Sequence, residues 1–159
     1  EKEARYQMLL SQSAALLDET LNPIANLANI AALLADALPQ INWCGFYLMD
    51  HGALMLGPFC GLPACTRIQP GRGVCGTAVQ KDRVLCIANV HDFPGHIACD
   101  SASQSEIVLP IRHQGRVIGV LDIDSPTLAR FDETDEQYLS ELVIQIQKAC
   151  SFDRAFYTL

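Results

Sequence analysis

The sequence predicts an α+β fold in which helices pack on one side of a largely antiparallel sheet. Apolar residues recur at helical spacing near both ends of the chain, and short apolar runs joined by tight turns lie between them, as in antiparallel hairpins. At 159 residues, half of them hydrophobic, the chain has the size of one domain. We therefore expect a single domain over residues 1–159.

Two helices are expected in the N-terminal part. The first covers about residues 5–17. Asn22 and Pro23 mark the start of the second, because Asn is a favoured N-cap and Pro suits the first helical turn, and Pro39 ends it. These helices would form a layer that packs on the sheet or joins two copies of the chain.

Two further helices are expected later in the chain. Residues 71–76 have the spacing G-x-G-x-x-G, but no long apolar strand precedes them. We therefore interpret them as the entry to a short helix over residues 74–80 rather than as a dinucleotide site. Thr134 and Gln137 have the spacing of a capping box, which predicts a last helix that follows it and runs to about Cys150.

A first hairpin is predicted from residues 41–49 and 53–59, joined by a short turn. Alternation along its first strand places Trp43 and Tyr47 on one face. The two rings would form either the aromatic wall of a pocket or ordinary core. Two shorter strands are expected at residues 66–68 and 84–87.

The second predicted hairpin carries two carboxylates. It joins residues 106–111 to 116–124 through a turn at 113–115. Alternation places Asp122 and Asp124 on one otherwise apolar face, where unpaired buried anions would be costly. We expect them to reach solvent at the strand end or to line a polar pocket, and Asp124 could also cap the turn that follows.

Residues 91–106 form the longest irregular stretch of the sequence. Loops of this length in a compact domain are usually functional or disordered, and the apolar Phe93 within this one argues against disorder. Cys99 stands near its middle, and Glu106 stands where the next strand begins. We interpret the stretch as a loop that delivers a reactive thiol to a pocket; the alternative is a surface connection with an inert cysteine.

Composition excludes several functional classes. The net charge of -7 argues against binding to nucleic acid or to anionic membranes. No apolar run approaches the roughly 18 residues that cross a bilayer, and no signal-peptide core follows Glu1, so a cytoplasmic location is expected. Seven cysteines, an odd number, argue against a structural disulfide framework. Reduced core thiols, a metal site and redox chemistry remain.

Three cysteines are candidates for redox chemistry, since Cys65, Cys75 and Cys99 lie in predicted loops or at a helix entry. Thiols in such places can be exposed and can move. A thiolate that attacks an electrophile such as a sulfoxide sulfur ends as a sulfenic acid, which a second cysteine converts into a disulfide. An external dithiol then resets the pair.

Acidic residues would support the same chemistry. A sulfoxide oxygen leaves only once protonated, and crowded carboxyl groups raise one another's pKa. Glu106, Asp122 and Asp124 in one pocket would suit this role and would attract an ammonium group. Trp43 could face a methyl group or a cation.

A zinc site is the competing use of these side chains. Its possible ligands are Cys65, Cys75, His91, His96 and Cys99. The close C-x-x-C pairs typical of structural zinc are absent from the sequence. We therefore expect no metal and no cofactor, and we expect the two histidines to order the loop by hydrogen bonds.

Several blocks of the sequence resemble the signature of the free methionine-(R)-sulfoxide reductases. The similarity extends from about Asn26 to Leu142, in blocks that follow the family's order. The blocks are residues 42–43, 45–47, 56–59, 71–76, 92–103, 105–108 and 119–125. The resemblance implies a single GAF domain with an antiparallel six-stranded sheet flanked by helices.

The resemblance also implies roles for individual residues. Cys99 resembles the attacking cysteine, Cys65 the main resolving cysteine, and Cys75 a third cysteine of secondary or variable role. Trp43 and Tyr47 resemble the pocket aromatics, with Trp43 against the methyl group. The acids that engage the substrate and its sulfoxide oxygen correspond to Glu106, Asp122 and Asp124.

The implied activity is reduction of free methionine (R)-sulfoxide, with thioredoxin as the reductant and a cytosolic homodimer as the working form. Cys44, Cys60, Cys86 and Cys150 lie outside the family's three cysteine positions, so alternative disulfides could form here. The other reading is a GAF sensor of a small ligand or redox state that performs no turnover, because a fold alone does not determine function.

Overall fold

The structure is a computed structural model that describes residues 1–96 and 102–153. Its helices are α1 (Lys2–Leu16), α2 (Pro23–Ala37), α3 (Gly73–Lys81) and α4 (Glu133–Ala149), with one 3-10 turn at Val90–Asp92. Its strands are β1 (Trp43–Asp50), β2 (Ala53–Cys60), β3 (Arg67–Ile68), β4 (Leu85–Ile87), β5 (Ser105–His113) and β6 (Arg116–Ser125). The predicted α+β class is therefore confirmed.

All six strands form one antiparallel sheet in the order β3-β2-β1-β6-β5-β4. The two predicted hairpins are present as β1–β2 and β5–β6. The β1–β6 pairing joins them, because Cys44 lies opposite Ile123 and Phe46 opposite Leu121. This long-range pairing brings the acids of β6 beside the aromatic residues of β1.

The helices lie on both faces of the sheet, and the prediction of helices on one side only was wrong. Helices α1, α2 and α4 pack together, and α2 and α4 cover one face, while α3 packs on β5 and β6. Alternation along β1 explains the division, since Phe46 faces the large helical core and Tyr47 faces a second, smaller core under α3. The functional candidates lie on the α3 face.

Helix α4 begins at Glu133, before the predicted capping box, and its cap is a different pair. Asp132 is the N-cap, and its carboxylate accepts from the backbone N–H of Thr134 and of Asp135. In return, the Asp135 side chain accepts from the N–H of Asp132 at 2.8 Å. Aspartate serves at both capping-box positions here, so Thr134 lies inside the first turn, and the prediction that Thr134 and Gln137 form the box was wrong.

Asp135 also attaches the N-terminal helix to the rest of the domain. Its fully buried carboxylate accepts from Tyr6 Oη at 2.5 Å, pairs with Lys2 Nζ at 2.5 Å, and pairs with Arg130 Nη1 at 3.2 Å. Two cations and a hydroxyl thus compensate one buried charge. Among residues 1–96 and 102–153, no helix is both long and apolar enough to span a membrane.

Candidate active site

A small cavity of ≈ 50 Å³ lies between the sheet and the start of α3. This volume exceeds what one water molecule needs. The wall combines aromatic rings, carboxyl groups and a thiol. The lining residues are Trp43, Tyr47, Ala64, Ile68, Arg72, Gly73, Val74, Cys75, His96, Ser103, Glu106, Asp122 and Asp124.

The predicted acids meet at one end of this cavity. Glu106, the second residue of β5, lies directly opposite Asp124 on β6, and Asp122 lies opposite Val108, two residues further along β5. The period of two along each strand points all three carboxyl groups to the α3 face. Of the two interpretations of the acid pair, lining a polar pocket is the one the structure supports, and the hydroxyl of Ser125 caps the following turn by accepting from Thr127 N–H.

Burial and crowding hold a proton on this cluster. Glu106 is 7% exposed and Asp122 is 5% exposed. Burial raises the pKa of Glu106 well above its usual range, and the charges of Asp122 and Asp124 raise it further. Burial also raises the pKa of Asp122, although hydrogen bonds from Glu106 and Cys75 oppose that shift. A neutral carboxylic acid at Glu106 can donate a proton near neutral pH.

Cys75 completes the cluster from the opposite wall. It lies in the first turn of α3, where Gly73 adopts a φ of 62° at the helix entry. Its Sγ lies 4.0 Å from Glu106 Oε2. Burial raises the pKa of the Cys75 thiol well above its ordinary value, and the neighbouring carboxylates raise it further. A thiol kept protonated in this way is a poor nucleophile.

Two aromatic side chains of β1 form a second wall. The rings of Trp43 and Tyr47 stack at 5.9 Å, and Phe59 stacks on Trp43 at 5.2 Å. Both polar ends bind the loop that leaves β2, because Trp43 Nε1 donates to Leu62 O at 3.1 Å and Tyr47 Oη donates to Cys65 O at 2.9 Å. The aromatic wall therefore also positions the segment that carries Cys65.

The cysteines of the predicted redox cycle differ in their oxidation state and in whether the structure describes them. Cys65 is in a disulfide, whereas Cys75 is a buried free thiol. Cys99 lies outside the described residues, so its predicted position stays a prediction. Of the possible zinc ligands, Cys65 offers no thiolate because it is in a disulfide. Among the described residues, the group whose ligand atoms lie close enough together to hold a metal ion is Cys75, Glu106 and Asp122.

Three polar residues of the wall were not predicted as site residues. His96 was weighed as a zinc ligand and expected to order the loop; its ring lies edge-on to His91, and burial lowers its pKa. The hydroxyl of Ser103 accepts from Asn42 Nδ2 at 3.1 Å. Arg72 precedes α3 as its N-cap residue. Only the resemblance blocks, which include these residues, contained a signal for them.

Comparison with known proteins agrees with this geometry. The family model of the GAF domain matches residues 15–150. The free methionine-R-sulfoxide reductase of Escherichia coli is 57% identical over 79% of this chain and 76% of that protein.

Solved structures give the same result. The Staphylococcus aureus fRMsr, solved in complex with its substrate, is 51% identical and superposes with a TM-score of 0.87 over 91% of this chain and 94% of that one. A putative GAF sensor protein from Burkholderia vietnamiensis is 45% identical, with a TM-score of 0.90 over 94% of this chain and 96% of that one. The chain therefore belongs to the GAF domain family and, within it, to the free methionine-R-sulfoxide reductases.

Proposed function

We propose that the protein is an enzyme, an L-methionine (R)-S-oxide reductase that acts on the free amino acid. Its membership of the reductase family and the substrate-bound S. aureus relative support this function. The observation that carries the proposal is the convergence of Trp43 with the buried carboxyl groups of Glu106, Asp122 and Asp124 in one small cavity. A sulfoxide with a methyl group and an ammonium group needs all of these surfaces.

The cavity suggests how the substrate is held. Trp43 offers an apolar face to the methyl group, and Asp122 and Asp124 offer negative charge to the ammonium group. Glu106, which burial keeps protonated, lies where it can give a proton to the sulfoxide oxygen. Tyr47 closes the aromatic side and holds the Cys65 carbonyl.

The proposed chemistry uses two cysteines. The Cys99 thiolate attacks the sulfoxide sulfur, the oxygen is protonated, and methionine leaves as Cys99 becomes a sulfenic acid. The Cys65 thiol then attacks the sulfenic sulfur, which releases water and forms a disulfide. A dithiol reduces that disulfide by exchange, so that one sulfoxide and one dithiol become methionine, water and an external disulfide.

The state of Cys65 supports the resolving role, since a residue that forms a disulfide in the folded chain has a thiol within reach. The burial and raised pKa of Cys75 argue for a secondary role. We infer that Cys75 helps to hold the proton on the acid cluster, and that it replaces Cys65 only after the loop moves.

We propose thioredoxin as the dithiol, a homodimer as the working form, the cytoplasm as the location, and one GAF domain over residues 1–159 without a cofactor. Family resemblance is the ground for thioredoxin and for the dimer. The outer sides of α1 and α2 also expose Met8, Leu16 and Ile24, and apolar exposure of this kind is typical of an interface. Light scattering of the purified protein tests the dimer.

One assay tests the activity. Each epimer of free methionine sulfoxide is supplied with thioredoxin, thioredoxin reductase and NADPH, and NADPH consumption is followed. We expect consumption with the R epimer alone, and none with Cys99→Ser. Cys86→Ser should behave as wild type, because Cys86 is exposed and does not line the cavity. Equal rates with peptide-bound sulfoxide would contradict the proposed specificity.

The alternative is a GAF sensor without turnover, as the name of the Burkholderia relative suggests. A sensor would bind methionine sulfoxide or methionine stoichiometrically. Its NADPH consumption would end after one equivalent or never begin.

A further inference from the structure

A second pair of thiols lies on the far side of the sheet from the cavity. Cys44 on β1 and Cys60 at the end of β2 are direct Cα partners in the antiparallel β1–β2 pairing. Both side chains pack on the helical core, which is the face opposite Trp43 and Phe59. Neither cysteine has a part in the proposed reaction, and both are free thiols in the structure.

The backbone geometry suits a cross-strand disulfide. Directly opposite residues of an antiparallel pair have Cα atoms about 4.5–5.5 Å apart, within the roughly 4.4–6.8 Å that disulfides span. The two strands are close here, because a Cβ added at the neighbouring Gly45 would lie 2.3 Å from Phe59 Cβ. Opposite residues also point to the same face, so both thiols lie on the same side of the sheet.

The two thiols differ in access, which gives the reaction an order. Cys44 is fully buried, and its Sγ donates to Ala31 O at 3.4 Å, whereas Cys60 is half-buried at the strand end. Burial is the main reason that the pKa of the Cys44 thiol is raised to about 12, and the nearby Cys60 raises it further. A reagent from solvent therefore meets Cys60 first, and Cys44 reacts in a second, slower step.

We propose that Cys44 and Cys60 are a second redox pair, which a low-molecular-weight disulfide such as oxidised glutathione converts into a cross-strand disulfide. The Cys60 thiolate attacks one glutathione sulfur, forms a mixed disulfide and releases one glutathione. Cys44 then attacks the Cys60 sulfur and releases the second. Two electrons pass from the protein thiols to glutathione disulfide, and the two thiol protons end on the released glutathiones.

The position of the pair connects it to the cavity. Cys60 immediately precedes the loop that Trp43 holds through Leu62 O and that carries Cys65. A covalent bond at Cys60 would fix the start of this loop to β1. If the proposed function holds, Cys65 must move to meet its reductant, so the bond would slow recycling and leave the first turnover unchanged.

Peptide mapping tests the pair without using turnover. The Cys65→Ser protein, chosen to prevent exchange with that position, is reduced and then incubated with oxidised glutathione at a pH near the ordinary thiol pKa of about 8.5. It is then denatured in an alkylating reagent and digested. We expect a peptide that links Cys44 to Cys60. Adding Cys44→Ser should abolish it and leave glutathione on Cys60, and adding Cys86→Ser should leave it intact.

Complete alkylation of Cys44 under these conditions, with glutathione on Cys60 alone, would overturn the pair. The linked peptide can be detected even if the protein has no reductase activity. The disulfide proposal and the proposed function can therefore be contradicted independently of each other. For the effect on recycling, wild type is compared after glutathione treatment with Cys60→Ser, which can carry neither the cross-strand disulfide nor glutathione at this position. We expect a lower steady-state rate for wild type with an equal first turnover; equal steady-state rates would overturn the effect on the loop.

Discussion

Glu106 lies directly opposite Asp124 across the β5–β6 pair, and their side chains hydrogen-bond to each other. The register creates this contact. The hairpin turn at Gln114 and Gly115 sets the first pairs, and a one-residue register shift between Ile111 and Arg112 then brings Glu106 opposite Asp124. Each residue would be an ordinary anion in water. In this buried site, burial raises the pKa of Glu106, and the charges of Asp122 and Asp124 raise it further.

The first prediction concerns the pH dependence of the chemical step. Glu106 donates a proton in the proposed reaction, and its folded pKa is raised, so the single-turnover rate should fall as pH rises through that raised pKa. Glu106→Gln should lower the rate and remove this decline, because the amide does not titrate. Rapid-quench measurement of methionine formation checks it, and a decline that persists in Glu106→Gln would assign the proton to another group.

The second prediction concerns stability against pH. The unfolded chain ionises Glu106 near 4.5, whereas the folded chain holds the proton to higher pH, so the folded state binds more protons between these two values. The free energy of unfolding should therefore decrease as pH rises through this window. Glu106→Gln should flatten the decrease, as measured by urea unfolding at a series of pH values. A free energy that rises across the window would contradict the buried, protonated acid.

The third prediction separates the roles of Cys65 and Cys75. Cys65→Ser should keep one turnover and lose most steady-state activity, because the resolving thiol is missing. Cys75→Ser should keep recycling and change the pH profile, because its Sγ lies 4.0 Å from Glu106 Oε2. Single-turnover and steady-state rates, measured beside Cys86→Ser as the control, check both. Loss of recycling in Cys75→Ser alone would exchange the two roles.

The fourth prediction concerns Gly61, whose lack of a side chain leaves room for the ring of Trp43. Gly61 has a φ of 143°, and a Cβ there would lie 2.5 Å from Trp43 Cδ1. Gly61→Ala should displace the indole, raise KM, and add strain of about 1–3 kcal/mol. Trp43 is the only tryptophan of the chain, so its fluorescence reports the displacement directly.

Gly115→Ala is the matched control for this change. Gly115 has a φ of 78° and open space around its Cα. The substitution should therefore strain the backbone without changing Trp43 fluorescence. An unshifted emission spectrum in Gly61→Ala would show that the loop, rather than the ring, gives way.

The fifth prediction concerns the cap of α4. Asp135→Ala leaves the buried Arg130 and the partly buried Lys2 without their shared carboxylate, and breaking a buried ion pair costs about 3–5 kcal/mol. Asp132→Ala, whose side chain is 60% exposed, should cost only about 1 kcal/mol as a lost N-cap. Denaturant unfolding of both variants checks the ratio, and equal losses would mean that Asp135 acts only as a capping residue.

Local sequence patterns predicted the helices and strands well. They were least accurate where two neighbouring side chains are equally suited to the same structural role, such as a helix N-cap. The helical stripe of α2 and the alternation along β1 are periodic over several residues, so their faces follow from spacing alone. The start of α4 did not follow, because Asp132 and Thr134 are both good N-caps. What decided between them is that Asp135 at the third position also meets Lys2 and Arg130.

The sequence alone determined the class of the domain, the two hairpins, the family and the set of residues with redox and acid chemistry, because periodicity, turn residues and motifs are all local in the chain. The role of Cys99 remains a prediction from the motif, since it lies outside the described residues.

Only the tertiary structure decided which of these residues meet. The pairing of β1 with β6 and the packing of α3 on β5 bring Trp43, Cys75 and Glu106 to one cavity, and the β1–β2 register brings Cys44 to Cys60. Strand register and helix packing depend on contacts between distant segments, so no window of the sequence contains them. The raised pKa of Glu106 has the same origin, since burial and neighbouring charges exist only once the chain has folded.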